Sequence, residues 1–405
     1  MLAGIAEGRT VINGFLASED CLATLASMRA LGVPVDQGPE QGVVVDGVGR
    51  DGLRAAGASL DMGNSGTAMR LFTGLLAGQR FDSELIGDAS LMQRPMERVA
   101  IPLRRMGAII ETQSGRPPVR IAGGRQLHGI QYHLPMASAQ VKSAILLAGI
   151  YAQGTTSITE PAITRDHSER MLQAFGVSVQ VKSRSIEIRG PARLQGCGID
   201  VPGDFSSAAF FIVAGCLVAD GVLTLRNVGI NPSRTGLLEA LRLMGGEIRV
   251  VNERVSGAEP LADLEIERRE LYGIELPRRL VPLAIDEIPA LLIAAACARG
   301  ETLVTGAEEL RVKESDRIAA MADGLQAVGI RTEVHADGMR VFGGAIQGGR
   351  VDSLGDHRIA MAFVIASAGA RDPIEIIDVA NVATSFPGFV ETAHSIGLDV
   401  EIVEC

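Results

Sequence analysis

Apolar positions along the chain fall into two alternating textures, and the alternation repeats. The first is a nearly unbroken apolar, Ala-rich segment that ends at a polar or glycine turn, at 1–8, 68–78, 144–154, 208–221, 290–300 and 359–370. A helix that is apolar on every side has no face for water, so each segment reads as a buried helix. The second texture is amphipathic and closes on an apolar residue plus glycine: Leu31-Gly32, Met106-Gly107, Phe175-Gly176, Met244-Gly245, Val328-Gly329 and Ile396-Gly397. Glycine suits the C-terminal cap of a helix, where the backbone turns left-handed. The residues that follow alternate, as in Ile109-Ile110-Glu111-Thr112 and then Val119-Arg120-Ile121, and predict a strand pair after each outer helix. Successive glycines lie 75, 69, 69, 84 and 68 residues apart. The chain therefore carries six copies of one unit: buried helix, strand, outer helix, hairpin. Such a series predicts an α/β protein whose sheets and outer helices wrap central helices, and six units could form one ring, one solenoid or two domains of three. Val201-Pro202-Gly203-Asp204 reads as a crossover, which divides the chain into domains 1–202 and 203–405 with three units each.

Composition narrows the function classes. The 405 residues are 47% hydrophobic, enough for substantial cores, yet the longest apolar runs, 208–219 and 359–370, fall short of the ~20 residues of a membrane-spanning helix. The first residues, Met1-Leu2-Ala3-Gly4-Ile5, lack the basic stretch and cleavage site of a secretory signal, so a cytoplasmic location is expected. Net charge is −10, with no Lys/Arg run, three Tyr and no Trp, which makes nucleic acid an unsuitable partner. A field of that sign opposes anionic ligands at long range, so local Arg and Lys must hold any anion. The five cysteines (Cys21, Cys197, Cys216, Cys297, Cys405) are far apart and odd in number, and read as reduced thiols. No phosphate-binding G-x-x-x-x-G-K-[ST] or zinc-type H-E-x-x-H motif occurs, and the six histidines are scattered. Gly47-Val48-Gly49-Arg50-Asp51-Gly52 fits a dinucleotide pattern by letter only. Gly57 interrupts the helix that should follow, so a hairpin turn is expected there.

Chemistry collects at the predicted helix starts. Before buried helices stand Asn64-Ser65-Gly66-Thr67-Ala68-Met69-Arg70, Ser138-Ala139-Gln140-Val141-Lys142-Ser143, Gly203-Asp204-Phe205-Ser206, Asp286-Glu287-Ile288-Pro289 and Asp356-His357-Arg358. Before outer helices stand Gln93-Arg94-Pro95, Thr164-Arg165-Asp166-His167, Asn231-Pro232-Ser233-Arg234, Lys313-Glu314-Ser315-Asp316-Arg317 and Thr384-Ser385-Phe386-Pro387. Ser, Thr, Asp and Asn at such places are ordinary N-caps. Arginine is not, because a cation opposes the positive end of the helix dipole. Arg70, Arg94, Arg165, Arg317 and Arg358 therefore point to anions, and free N–H groups with bidentate guanidinium groups suit phosphate and carboxylate.

Taken together and in order, these loops resemble 5-enolpyruvylshikimate-3-phosphate (EPSP) synthases over the whole chain. Ala137-Ser138-Ala139-Gln140-Val141-Lys142-Ser143 and Thr164-Arg165-Asp166-His167 resemble the class II branch, known for glyphosate-tolerant members. The resemblance implies a two-domain enolpyruvyl transferase fold of six β-α-β-α-β-β units, an inside-out α/β barrel. It implies transfer of the enolpyruvyl group of phosphoenolpyruvate to the 5-hydroxyl of shikimate 3-phosphate with release of phosphate, by a monomer with no metal or other cofactor. By the same resemblance, Gly66, Arg94, Gln140, Arg317 and Arg358 would hold phosphoenolpyruvate. Ser138, Ala139, Gln140, Arg165, Asp286 and Lys313 would hold shikimate 3-phosphate. Asp286 would also take the hydroxyl proton, with Lys313 and Glu314 in proton transfer. Thr384 stands where class I enzymes carry lysine. UDP-N-acetylglucosamine enolpyruvyl transferases share the fold, but the cysteine they carry before Arg-Pro is missing from Gly87-Asp88-Ala89-Ser90-Leu91-Met92-Gln93-Arg94-Pro95.

The first unit stands apart. The offset from Asn64 to Gly78, applied to Gly8, places its ligand loop before Met1. The resemblance puts a Lys-Ser-x-Ser-x-Arg signature there, so an incomplete first unit is expected, with a shortened buried helix and an unpaired strand edge. An anion-binding but inactive chain is the alternative in another class.

Overall fold

The structure, a computed structural model, describes residues 1–37, 42–218 and 220–403; Cys405 lies outside them. Two compact units form, Met1–Val201 with Ser256–Glu259, and Pro202–Val255 with Pro260–Cys405. The tip of one hairpin, Ser256–Glu259, thus groups with the first unit, whereas the expected boundary placed it in the second. Each unit has its own hydrophobic core, drawn from residues 3–194 and 205–398 respectively.

The first unit contains helices α1 (Leu2–Ile5), α2 (Glu19–Ala30), α3 (Gly66–Ala77), α4 (Glu97–Arg105), α5 (Ala139–Gly149) and α6 (His167–Ala174). Its strands are β1 (Glu7–Asn13), β2 (Val35–Gln37), β3 (Val43–Val48), β4 (Leu60–Asp61), β5 (Ser83–Ile86), β6 (Ile109–Gln113), β7 (Arg116–Ala122), β8 (Gln131–His133), β9 (Gly154–Thr159), β10 (Val179–Lys182), β11 (Ser185–Gly190) and β12 (Gly198–Asp200). Three sheets follow one plan: β12-β1-β3-β2, β4-β5-β7-β6 and β8-β9-β11-β10. In each, a short leading strand runs parallel to its neighbour and the other pairs are antiparallel. Because β12 leads the sheet of β1, the last strand of the unit pairs with the first. The Ala and Gly content of the buried helices lets their backbones approach closely: a Cβ at Gly74 of α3 would lie 2.1 Å from the carbonyl oxygen of Ala144 in α5.

The second unit contains α7 (Phe205–Val218), α8 (Gly236–Leu243), α9 (Val281–Ala284), α10 (Ile288–Cys297), α11 (Arg317–Ala327), α12 (His357–Ser367), α13 (Asn381–Ser385) and α14 (Phe389–Ser395). Its strands are β13 (Val222–Gly229), β14 (Glu247–Ser256), β15 (Glu259–Glu267), β16 (Glu301–Val304), β17 (Thr332–His335), β18 (Gly338–Phe342), β19 (Gly349–Asp352) and β20 (Ile374–Ile377). They form sheets β13-β15-β14, β16-β18-β17 and β19-β20. Two of the leading strands shrink to isolated parallel bridges, Gly203 with Val228 and Tyr272 with Arg299. Helix α7 has apolar residues on all sides and is buried over nearly its whole length.

All six helix-ending glycines adopt positive φ, at 87°, 105°, 84°, 94°, 84° and 85°. Two expectations fail. Among the described residues no strand follows Gly397, because the alternating segment 398–403 has no neighbouring strand to pair with. The Gly47–Gly52 stretch is a turn at the end of β3 and not a hairpin, since the chain leaves it as irregular backbone. Its glycines serve close approach: a Cβ at Gly47 would lie 2.3 Å from the Ala6 oxygen, and one at Gly52 only 1.9 Å from the Val48 oxygen. Among the described residues no helix is long and apolar enough to cross a membrane.

Candidate active site

In the first unit the starts of α3 and α5 carry the polar groups. Ser65 caps α3, its Oγ accepting from the Ala68 N–H at 3.3 Å, and Ser138 caps α5, accepting from the Val141 N–H at 3.4 Å. Gln140 joins the two helices. Its Nε2 donates to Thr67 Oγ1 at 2.7 Å, and its Oε1 accepts from the guanidinium of Arg70, a buried residue in the second turn of α3. Arg94 arrives from the loop after β5 and donates to Asn64 Oδ1 at 3.0 Å, while Asn64 Nδ2 donates to Asp88 at 2.6 Å. Gly66 lies between the two arginines: a Cβ there would stand 3.1 Å from Arg94 Nη1 and 3.2 Å from Arg70 Nη1. The structure thus brings Gly66, Arg94 and Gln140 together, with Ser138 and Ala139 beginning the helix that carries Gln140. Arg165 stands half-buried in the loop between β9 and α6.

Below that surface lies a charge cluster that sequence reasoning passed over. Lys142, two residues after Gln140, is only 1% exposed, and its Nζ sits 2.8 Å from Glu169 and 3.2 Å from Glu160. Thr164 Oγ1 donates to the other oxygen of Glu160, and Ser143 and Ser168 hydroxyls meet at 2.6 Å. Burial pushes the Glu169 carboxyl above its ordinary range, with Lys142 opposing the shift. A lysine inside Val141-Lys142-Ser143-Ala144 was the available signal; its partners are 18 and 27 positions away and left none.

In the second unit the focus is Arg317, the first residue of α11 and 1% exposed. Its Nε and Nη2 donate to the two oxygens of Asp356 at 2.8 and 3.2 Å, Nη2 also to Glu314 at 2.7 Å, and Nη1 to Asp286 at 3.3 Å. Asp286 Oδ1 also faces Lys313 Nζ at 3.4 Å, and Lys313 pairs with Glu309 at 3.0 Å, one helical turn back in sequence. Arg358 donates through Nη1 to the Asp286 carbonyl at 3.0 Å. Asp356 caps α12 by accepting the Arg358 N–H at 2.9 Å and takes the Ser315 hydroxyl at 3.0 Å. Although its burial disfavours charge, Arg317 holds Asp356 below the usual carboxylate range. His357 is pushed down to about 4 by burial and by neighbouring Arg358, so its imidazole is neutral at neutral pH. Asp286, Lys313, Glu314, Arg317 and Arg358 therefore form one cluster. The anion that Arg317 demands at a helix start is supplied by the protein's own carboxylates. Thr384 donates to the Asn381 carbonyl at 2.7 Å in α13.

A family model described as EPSP synthase (3-phosphoshikimate 1-carboxyvinyltransferase) matches residues 1–393. The chain belongs to the EPSP synthase family. The 3-phosphoshikimate 1-carboxyvinyltransferase of Alkalilimnicola ehrlichii is 59% identical over 401 residues, which cover 98% of this chain and 90% of that protein. The enzyme of the same name from Methylococcus capsulatus is 58% identical over 404 residues, covering 99% and 92%. The solved structure of EPSP synthase from Acinetobacter baumannii superposes with a TM-score of 0.92 at 52% identity, over 100% of this chain and 93% of that one. The six repeats read from the sequence are those of the two-domain enolpyruvyl transferase fold that EPSP synthases adopt. Among the described residues no group of three or more His, Cys, Asp or Glu is arranged to hold a metal ion.

Proposed function

We propose that this chain transfers the enolpyruvyl group of phosphoenolpyruvate to the 5-hydroxyl of shikimate 3-phosphate, with release of inorganic phosphate. The observation that carries the reading is Asp286, whose carboxylate is flanked by Lys313 at 3.4 Å and Arg317 at 3.3 Å, with Glu314 on the same guanidinium. A base and a separate acid are what the addition needs. Asp286 takes the hydroxyl proton as the oxygen bonds to carbon 2 of phosphoenolpyruvate, and Glu314 or Lys313 delivers a proton to carbon 3. In the second step carbon 3 returns its proton as the carbon–oxygen bond to phosphate breaks. Charge growing on the departing phosphate falls to Arg94, Arg317 and Arg358, with the N–H groups at Gly66 and the amide of Gln140. Ser138, Ala139, Gln140 and Arg165 hold the phosphate of shikimate 3-phosphate: a capped helix start and a guanidinium together suit a dianion. Asp286 and Lys313 orient the sugar-like ring that carries the reacting hydroxyl.

Phosphate release measured with both substrates tests the reading. Saturable release that needs both compounds is expected. No release with shikimate 3-phosphate, together with release when UDP-N-acetylglucosamine replaces it, refutes the substrate; binding of shikimate 3-phosphate without turnover in calorimetry refutes the catalysis.

A further inference from the structure

The buried cluster beneath α5 has no part in the chemistry above, and its cost is high. One ammonium and two carboxylates, all at most 3% exposed, have been removed from water. Three well-packed apolar side chains fill such a space at lower cost in stability, so ionic groups held there call for a reason other than stability, and fixing a register is the best-attested one. The geometry supplies that reason. Glu160 begins the loop that follows β9, Glu169 lies in the first turn of α6, and Arg165 stands between them. Both ends of that loop are tied to one atom, Lys142 Nζ, and Thr164, the neighbour of Arg165, is tied to it through Glu160. Lys142 itself is rooted in α5 one turn below its cap Ser138 and two residues from Gln140. Ser143 and Ser168, hydroxyl to hydroxyl at 2.6 Å, add a second tie between the same two helices.

We propose that Lys142 is a positioning residue that sets Arg165 at a fixed distance from Ser138 and Gln140, so that the two sources of phosphate-binding groups act on one phosphate of shikimate 3-phosphate. The inference rests on the substrate reading given above. It assigns Lys142, Glu160 and Glu169 to affinity for one substrate and leaves the other alone, which a role in overall stability does not do. Among the described residues Glu169 Oε2 has no hydrogen-bond partner, so Glu169 holds Lys142 through one oxygen only, whereas Glu160 engages both Lys142 and Thr164. Glu169 is the closer partner of Lys142, and Glu160 is the arm that extends the tie to the neighbour of Arg165.

The test is steady-state kinetics of the full chain with each substrate varied in turn. Lys142→Met keeps the length of the side chain and removes the charge; the expected result is a KM for shikimate 3-phosphate at least tenfold higher, with the KM for phosphoenolpyruvate within twofold and kcat largely kept. Glu169→Gln should show the same split at a few-fold. A folded Lys142→Met protein whose two KM values stay within twofold of the parent, or rise together, overturns the proposal. If Lys142→Met does not fold, Glu160→Gln decides by the same criterion. The parent protein separates the two levels. Turnover by the parent with indifferent variants removes this inference and leaves the substrate reading standing, while a parent that neither binds nor turns over shikimate 3-phosphate removes both.

Discussion

Asp356→Asn is the sharpest perturbation of the second unit. Asparagine keeps the shape and still accepts the Arg358 N–H, so the cap on α12 survives and the change is one of charge. What is lost is the partner of a fully buried guanidinium, held through two hydrogen bonds at 2.8 and 3.2 Å. Breaking a buried pair from one side costs about 3–5 kcal/mol. Arg317 retains Glu314 and Asp286, so the low end applies, about 3 kcal/mol of stability at pH 7. Because the carboxyl of Asp356 is held below its ordinary value in the folded state, its contribution is complete above the unfolded value of about 4 and is lost as pH falls through the folded one. Urea denaturation followed by circular dichroism, at pH 7 and at steps down to pH 3, reads both quantities. The parent should exceed the variant by about 3 kcal/mol at pH 7, with the gap narrowing below about pH 4. A gap under about 1 kcal/mol at pH 7, or one that stays constant on acidification, would refute the ion-pair account.

Other outcomes follow from the same geometry. His357, which takes a proton only near pH 4 in the folded chain but near 6.5 when unfolded, makes stability fall as pH drops from about 6.5 to 4; His357→Asn should flatten that interval, and an unchanged slope there would count against it. Gly74→Ala places a methyl 2.1 Å from the Ala144 oxygen, where only backbone movement relieves it, so a loss of about 2 kcal/mol or more is expected in the denaturation midpoint. Gly66→Ala meets the guanidinium ends of Arg94 and Arg70, at 3.1 and 3.2 Å, which need shift only by a few tenths of an ångström, and should cost little stability while raising the KM for phosphoenolpyruvate several-fold. Arg165→Met should raise the KM for shikimate 3-phosphate by tenfold or more, in keeping with about 1.5–3 kcal/mol for a hydrogen bond to a charged group; an unchanged KM would move the phosphate elsewhere.

The features legible in the sequence were those whose cause is local. Glycine after an apolar residue marks a left-handed helix end regardless of tertiary context, which is why all six positions turned out at positive φ. An Ala-rich run with no polar face identifies a central helix for the same reason. The helix-start loops were equally readable, since Ser65, Ser138, Asp316 and Asp356 all cap helices through their side chains. Two-body features were not readable. Nothing near Arg317 in sequence announces Asp356, 39 residues on, so the internal carboxylate that meets this guanidinium could not be foreseen. Glu160 and Glu169 were invisible because an isolated glutamate has no periodicity, and their importance comes entirely from Lys142. The hairpin expected after Gly397 failed for a related reason: alternation makes a segment fit for a sheet but cannot supply its neighbour.

The two units solve one electrostatic problem in different ways. In the second, Lys313, Arg317 and Arg358 stand among Asp286, Glu309, Glu314 and Asp356, so each cation meets the protein's own oxygens and the cluster is held together before any ligand arrives. Groups so balanced suit proton transfer, where a carboxylate must change charge without unbalancing its surroundings. In the first, Arg70 and Arg94 border Gly66 and donate to Gln140 and Asn64 respectively, and the nearby Asp88 is engaged by Asn64 and the Leu91 N–H. These two arginines thus lie beside two capped helix starts, and Glu160 and Glu169 are kept below the surface, on Lys142. A chain of net charge −10 gains no long-range attraction for a dianion, so individual Arg and Lys side chains must supply it locally. Burying Glu160 and Glu169 against one lysine therefore does two things at once: it ties both ends of the loop that carries Arg165 to α5, and it offsets two carboxylates that would otherwise oppose an anion near the start of that helix.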